Sequence, residues 1–426
     1  MGGAIDRASW IACLALALAA NGCGLVHERS GDATDAGPPP LGDAFFVRPD
    51  AFVPPNDAWS PAFAIAPHGP ETILPDQGGP HITHPQLVVI TYADDPRRAS
   101  IEAHARWLVS SRWLTSVGAE YGVGAGSILG IVERADNAPS TISGPAIAAS
   151  ISAGIANRTL PAPSGGALDA VIYIAYFPAQ TTITDMLLGT SCAPFAGYHE
   201  AGAMPDGRRF IYAVVATCMT PTMWLTDVEQ QQLTAAHEVI EAATDADPIN
   251  APALQLSTMS GPLSPWAAVG GEVADLCELR QGPFAFARES GFIGSLVWSN
   301  AAARLGDRDP CAPSDVAVPY YAVSVTPDSA QPVAAGSSTT FDVLGWSTAP
   351  VASFGVSAFG FRASTSPTFF MPDATIDRST LNNGLHATLT IRVPPGTPSG
   401  AYGLTYVALS DTTGASDLFP VLVYVP

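Results

Sequence analysis

The chain has 426 residues, of which 47% are hydrophobic, so it is long enough for two or three domains with real cores. Its formal net charge is −20, and all 18 basic residues are arginine. No basic patch exists to hold phosphates, which excludes nucleic acid and anionic membrane surface as partners.

The N-terminus reads as an export signal. Arg7 precedes "WIACLALALAA", the length of a signal's apolar core and too short to span a bilayer. It ends at "ANGC", a small residue before a cysteine, as in a bacterial lipoprotein signal. Residues 1–22 are then the signal and Cys23 the lipidated first residue. Ala20 and Asn21 depart from the preferred residues of such signals, so plain secretion stands as the alternative. The expected location is the outer membrane or cell surface, with the bilayer touched only through the anchor. Residues 23–80 are rich in proline, aspartate and glycine without helical or strand period, and an unstructured tether is expected there.

From residue 81 the texture is that of an α/β domain. "QLVVITY", "SILGIVE", "AVIYIAYFP" and "RRFIYAVVATC" read as buried strands, and "GPAIAASISAGIA" as a helix. "ASIEAHARWLVSSRWLTSVGAEYG" reads as one amphipathic helix with Ile101, Trp107, Leu108 and Leu114 as core candidates. Four cysteines, Cys192, Cys218, Cys277 and Cys311, remain after the signal and Cys23. In an exported chain they imply two disulfides with three possible connectivities, nearest-neighbour pairing being the expected one. No C-x-x-C pair points to a thiolate metal site. Near residue 317 the pattern changes to short alternating strands separated by Gly, Pro, Asn and Asp turns, as in "SSTTFDVLGW" and "YGLTYVALSD". Residues 317–426 are expected to form an immunoglobulin-like β-sandwich for spacing or adhesion.

The chemistry concentrates at "AAHEVIEAATDADP", residues 235–248. Thr226 with Glu229 three residues on is a capping box, which predicts a helix beginning at Asp227. His237 and Glu241 are four apart and share a face beside the apolar stripe of Leu233, Ala236, Ile240 and Ala243. Glu241 and Asp245 lie at the negative end of the helix dipole, where a bound cation would relieve them. The layout is that of H-E-x-x-H metalloproteases with glutamate as the second ligand. One divalent ion is then expected, zinc first and calcium as the alternative. His237 and Glu241 would hold it, and Glu238 would act as general base. Asp245, Asp247, Glu272 and Asp275 are the third-ligand candidates, with Glu272 favoured because Gly270 and Gly271 allow close approach. A histidine hydrogen-bonded to buried acids without metal fits the same letters.

The order "CAPFAGYHE", "RRFIYAVVATC", "AAHEVIEAATDADP", "GGEVADLCEL", "LVWSNAAA" and "DPCAP" resembles the EXORDIUM or phosphate-induced protein family and its bacterial relatives, over about residues 85–313. The resemblance falls on His199, His237, Glu238, Glu241, Thr244, Asp245, Glu272, Asp275 and Cys277. It adds His199 as a further ligand or a stabiliser of the transition state. "TDADP" is two residues longer than the family's T-D-P, so Asp245 and Asp247 compete for one role. The family is extracellular and cell-wall-linked. The resemblance does not settle the activity. The helix implies a zincin-like α/β domain and a peptidase-type metallohydrolase; the alternative is a non-catalytic surface protein that binds a peptide, cell-wall or glycan partner. A monomer is expected in either case.

Overall fold

The computed structural model describes residues 63–426 apart from 166, 186–188, 194, 219–224, 257–263, 282–284, 315–317, 362–367 and 411–415. The signal segment, Cys23 and most of the predicted tether lie outside the described residues. Five strands form the first sheet: β1 (Gln86–Tyr92), β2 (Ser127–Arg134), β3 (Val171–Phe177), β4 (Gly197–Ala203) and β5 (Arg209–Ala216). Their order is β2-β1-β3-β5-β4. The first four run parallel, and β4 returns antiparallel along β5 as an edge strand. Side chains alternate between two cores because successive residues of a strand point to opposite faces. Leu87, Val89 and Ile174 enter one core, while Val88, Ile90 and Tyr173 enter the other. A sheet covered on both faces reads as unbroken apolar runs, which is what the sequence displays.

Helices α1 (Arg98–Ser110) and α2 (Arg112–Gly118) cover the first face, and α3 (Gly144–Ala156) covers the second through Ile147, Ile151 and Ile155. The single helix expected over residues 99–122 breaks at Ser111. That residue is extended, and its hydroxyl accepts from the Leu114 amide at 3.0 Å. A serine N-cap offers the backbone this exit, and the break turns Trp113 into the same core as Leu108. Helix α4 (Asp227–Thr244) begins where predicted, with both halves of the capping box formed.

Beyond α4 lie α5 (Asp275–Gln281) and a hairpin of β6 (Phe286–Glu289) and β7 (Phe292–Ser295). The last hundred residues are all-β. One sheet holds β8 (Tyr321–Thr326), β9 (Ser338–Ser347), β11 (Asp373–Ile376) and β12 (His386–Arg392), in the order β8-β9-β12-β11. A second is built on β10 (Phe354–Phe361), β13 (Tyr402–Ser410) and β14 (Ser416–Tyr424). Val343, Leu389 and Ile391 of one sheet share a core with Val356, Leu409 and Val421 of the other. The disulfides are the expected pairs, Cys192–Cys218 and Cys277–Cys311. They fit an oxidising, exported setting. Among the described residues no helix is long and apolar enough to cross a membrane.

Residues 63–80 are a strap and not the end of a free tether. The Ala66 amide donates to Asn383, and His68 stacks on Trp346 with ring centroids 3.7 Å apart. Trp298 donates to the Thr72 carbonyl, and Leu74 is 1% exposed. Both backbone groups of Leu74 bond the Asn300 amide at 2.8 Å. The composition of the tether hid Ile73 and Leu74, which bury apolar surface.

At the junction of the two units Arg280 is fully buried. Its guanidinium lies 4.0 Å from the Phe419 ring and 3.4 Å from Glu71 Oε2, and it also donates to Tyr320. Tyr320 in turn donates to Glu71 Oε1 at 3.0 Å. A buried ion pair broken on one side leaves an uncompensated charge. Arg280→Ala should therefore cost about 3–5 kcal/mol, and Arg280→Met with Glu71→Gln much less. Denaturant unfolding of the full chain measures both; equal midpoints for parent and Arg280→Ala would show that the junction does not depend on this charge.

Candidate metal centre

The back half of α4 is not amphipathic. Every residue from Ala235 to Asp247 is buried, because the helix runs between the first sheet and the β6–β7 hairpin. His237, Glu238 and Glu241 are thereby taken out of water together. On β4, Gly197, His199 and Ala201 share one face of the strand, while Tyr198 points into the opposite core. His199 stands on this edge strand, which "GYHEAGA" and the following "MPDG" turn could have signalled. Gly197 leaves the room that Glu238 uses: a Cβ there would fall 2.7 Å from Glu238 Oε1.

His237 Nε2 lies 3.0 Å from Glu241 Oε2 and 3.5 Å from Asp275 Oδ1. Its Nδ1 lies 3.3 Å from Glu278 Oε2. His199 Nδ1 lies 3.4 Å from Glu238 Oε2. Its Nε2 faces the Asp245 carbonyl at 3.0 Å and Glu272 Oε1 at 3.5 Å. Glu241 Oε1 accepts from the amides of Ala274 and Asp275 at 3.0 and 3.1 Å. Two trios could hold an ion, His237–Glu241–Asp275 and His199–Glu238–Glu241, each with ligand atoms within 4.8 Å of one another. The structure thus brings Asp275, and not the favoured Glu272, to the histidine–glutamate pair. Gly270, with φ 113°, makes this possible, since a Cβ on it would fall 2.1 Å from Asp275 Oδ2.

Two of the candidate ligands go elsewhere. The Asp245 carboxylate accepts from the Ala253 amide at 2.8 Å and the Gln255 side chain at 2.7 Å. Asp247 pairs with Arg209 and accepts from Asn250. Each has polar partners of its own, so the extra residues in "TDADP" supply a structural turn and no donor to either trio. Glu278 was not singled out from the sequence. Its signal was the i, i+3 spacing from Asp275, which puts both on one face of α5.

Burial governs the titration of the site. It would lower both imidazoles, but Glu272 and Glu238 raise His199 to about 10, and Glu241 and Asp275 raise His237 well above its ordinary value. Burial raises Glu278 to about 7 and lifts Glu238, Glu272 and Asp275 as well. Glu241 goes the other way: burial opposes it, but His237 beside it and the Asp275 amide favour its charged form. The residues suit a divalent cation, with mixed imidazole and carboxylate donors, a carboxylate behind the ligand histidine, and Glu272 Oε1 buried without a hydrogen-bond partner.

No family model matches the chain, and no curated protein matches it either. Among solved structures, a conjugative transposon lipoprotein from Bacteroides eggerthii DSM 20697 is 13% identical over 24% of this chain and 95% of its own, with a TM-score of 0.18. A nucleoside hydrolase-related hypothetical protein from Saccharophagus degradans, associated with carbohydrate metabolism, is 17% identical over 25% of this chain and 26% of its own, at 0.19. A beta-glucosidase from Listeria innocua is 9% identical over 84% of this chain and 48% of its own, at 0.17. At these scores none of the three fixes a fold or a function for this chain.

Two outcomes are expected. His237→Ala and Asp275→Asn should each weaken binding of Zn²⁺ at least about tenfold, as loss of a ligand or its support does elsewhere. Gly270→Ala should copy Asp275→Asn, while Asp247→Asn should bind as the parent does; calorimetric titration decides. Ligand groups must also be deprotonated to bind metal. Because the histidines and most of these carboxylates hold their protons to higher pH than usual, uptake at neutral pH should release protons and strengthen as pH rises. Titrations in two buffers of different ionisation enthalpy count the protons, and identical heats would contradict it.

Proposed function

We propose that the chain is an exported, surface-anchored metallohydrolase of zincin-like, peptidase type, held to the membrane by a lipid on Cys23. The observation that carries this is the His237–Glu241–Asp275 trio, with Glu238 one residue along the same helix. A divalent ion there supplies Lewis acidity toward a carbonyl and toward water. Glu278 fixes the ring of His237 from behind. Burial raises the basicity of the Glu238 carboxylate, which suits it to accept a proton from water and return it to a leaving amine. His199 holds that carboxylate from the strand side.

Peptide is the substrate class that the surroundings favour. β4 is an edge strand and carries His199, so an extended chain adding along it would pass the site. The all-β unit is then the presenting module. A second function keeps some support: the donors are richer in carboxylate than in imidazole, which suits calcium in a non-catalytic wall- or glycan-binding protein.

Glu238→Gln separates the two. It should keep the ion held by His237, Glu241 and Asp275, and lose about 10²–10⁴-fold in turnover of peptide or ester substrates. A variant as active as its parent would remove Glu238 from the chemistry. A parent that cleaves nothing in such a panel, yet gains thermal stability from Ca²⁺, would point to the binding protein.

A further inference from the structure

We infer that the centre takes two divalent cations side by side, with Glu241 shared between them. This rests on the metal site proposed above and goes beyond it in the number of ions and in the role of Glu238.

The two donor trios, His237–Glu241–Asp275 and His199–Glu238–Glu241, have only Glu241 in common. The imidazoles come from different elements, α4 and β4, and each is set up for a separate ion. On His237, Nδ1 is taken by Glu278, which leaves Nε2 toward Glu241 and Asp275. On His199, Nε2 faces the Asp245 carbonyl, which leaves Nδ1 toward Glu238. A ligand histidine has this form: one nitrogen donates to an outer acceptor, and the other is left with its lone pair. One ion would use one such ring and leave the other only to hold the Glu238 carboxylate.

The supply of carboxylates allows the same count. Glu238, Glu241, Glu272, Asp275 and Glu278 each have one of the two histidines as ion-pair partner or lie against one. With the imidazoles neutral, as ligands must be, these carboxylates are numerous enough to balance two ions, and those that bind neither keep their protons. Buried charge without compensation is strongly disfavoured. Glu272 Oε1 is buried and has His199 Nε2, 3.5 Å away, as its ion-pair partner. Paired ions clamped by carboxylates recur in hydrolytic sites, where they polarise substrate and water together. With two ions Glu238 becomes a ligand and is no longer a free base. The donor set, two imidazoles with several carboxylates, selects first-row ions such as Mn²⁺ or Zn²⁺.

The experiment is a metal count on the full chain, stripped and then loaded with Mn²⁺ or Zn²⁺ alone, by plasma mass spectrometry after desalting. It is paired with electron paramagnetic resonance of the Mn²⁺ form. The parent should hold two equivalents and give the spectrum of a spin-coupled pair. His199→Ala and Glu238→Gln should each hold one equivalent and give an uncoupled signal. One equivalent in the parent, unchanged in Glu238→Gln, overturns the second ion and leaves the single-metal hydrolase standing. No metal in the parent overturns both. The parent's count does not depend on whether any variant folds.

Discussion

The carboxylate of Glu241 is the joint on which the site depends. It leaves the last turn of α4 and accepts two amides at the start of α5. A negative group is favoured at a helix N-terminus, where unpaired N–H groups gather. One side chain near the end of one helix therefore caps the start of another. The same carboxylate faces His237, so the lock between the helices and the donor geometry are a single interaction. Moving Glu241 to suit an ion would release α5, and moving α5 would withdraw Asp275.

Short α5 carries more than its seven residues suggest. Asp275 and Glu278 face the histidine of α4, Cys277 is bridged to Cys311, and Arg280 fills the aromatic junction with the all-β unit. Helices this short have little stability of their own. Its position comes from these three attachments. The two units are thus coupled through the very helix that supplies a donor, and the strap at residues 63–80 adds Glu71 to the same junction from outside.

Much of this was legible in the sequence, for local reasons. The capping box fixed the start of α4, continuous apolar runs marked the central strands, and turn spacing marked the all-β unit. Nearest-neighbour pairing of the cysteines also holds. What stayed hidden needed tertiary knowledge. Glu272 and Asp275 are three residues apart, and only the left-handed turn at Gly270 decides which one reaches His237. Asp245 and Asp247 look like ligands until Gln255 and Arg209 arrive from elsewhere in the chain. Residues 63–80 have the composition of a linker, and a few apolar side chains with backbone pairing hold them down.

Why the sequence concentrates charge at 235–248 has a physical answer in the packing. Those charges sit on the enclosed half of a long helix, so water cannot solvate them and they must be matched by one another or by cations. In the absence of cations, protons do the matching: burial lifts Glu238, Glu272, Asp275 and Glu278, and both histidines hold protons firmly because carboxylates surround them. Apolar side chains of similar size often fill such a space at lower cost, so structure alone is a weak reason for so many titratable groups. Exchangeable protons on imidazole and carboxylate are what a site has to give up when it takes a metal. The energetic awkwardness of the cluster is therefore the feature that favours binding over a merely structural role.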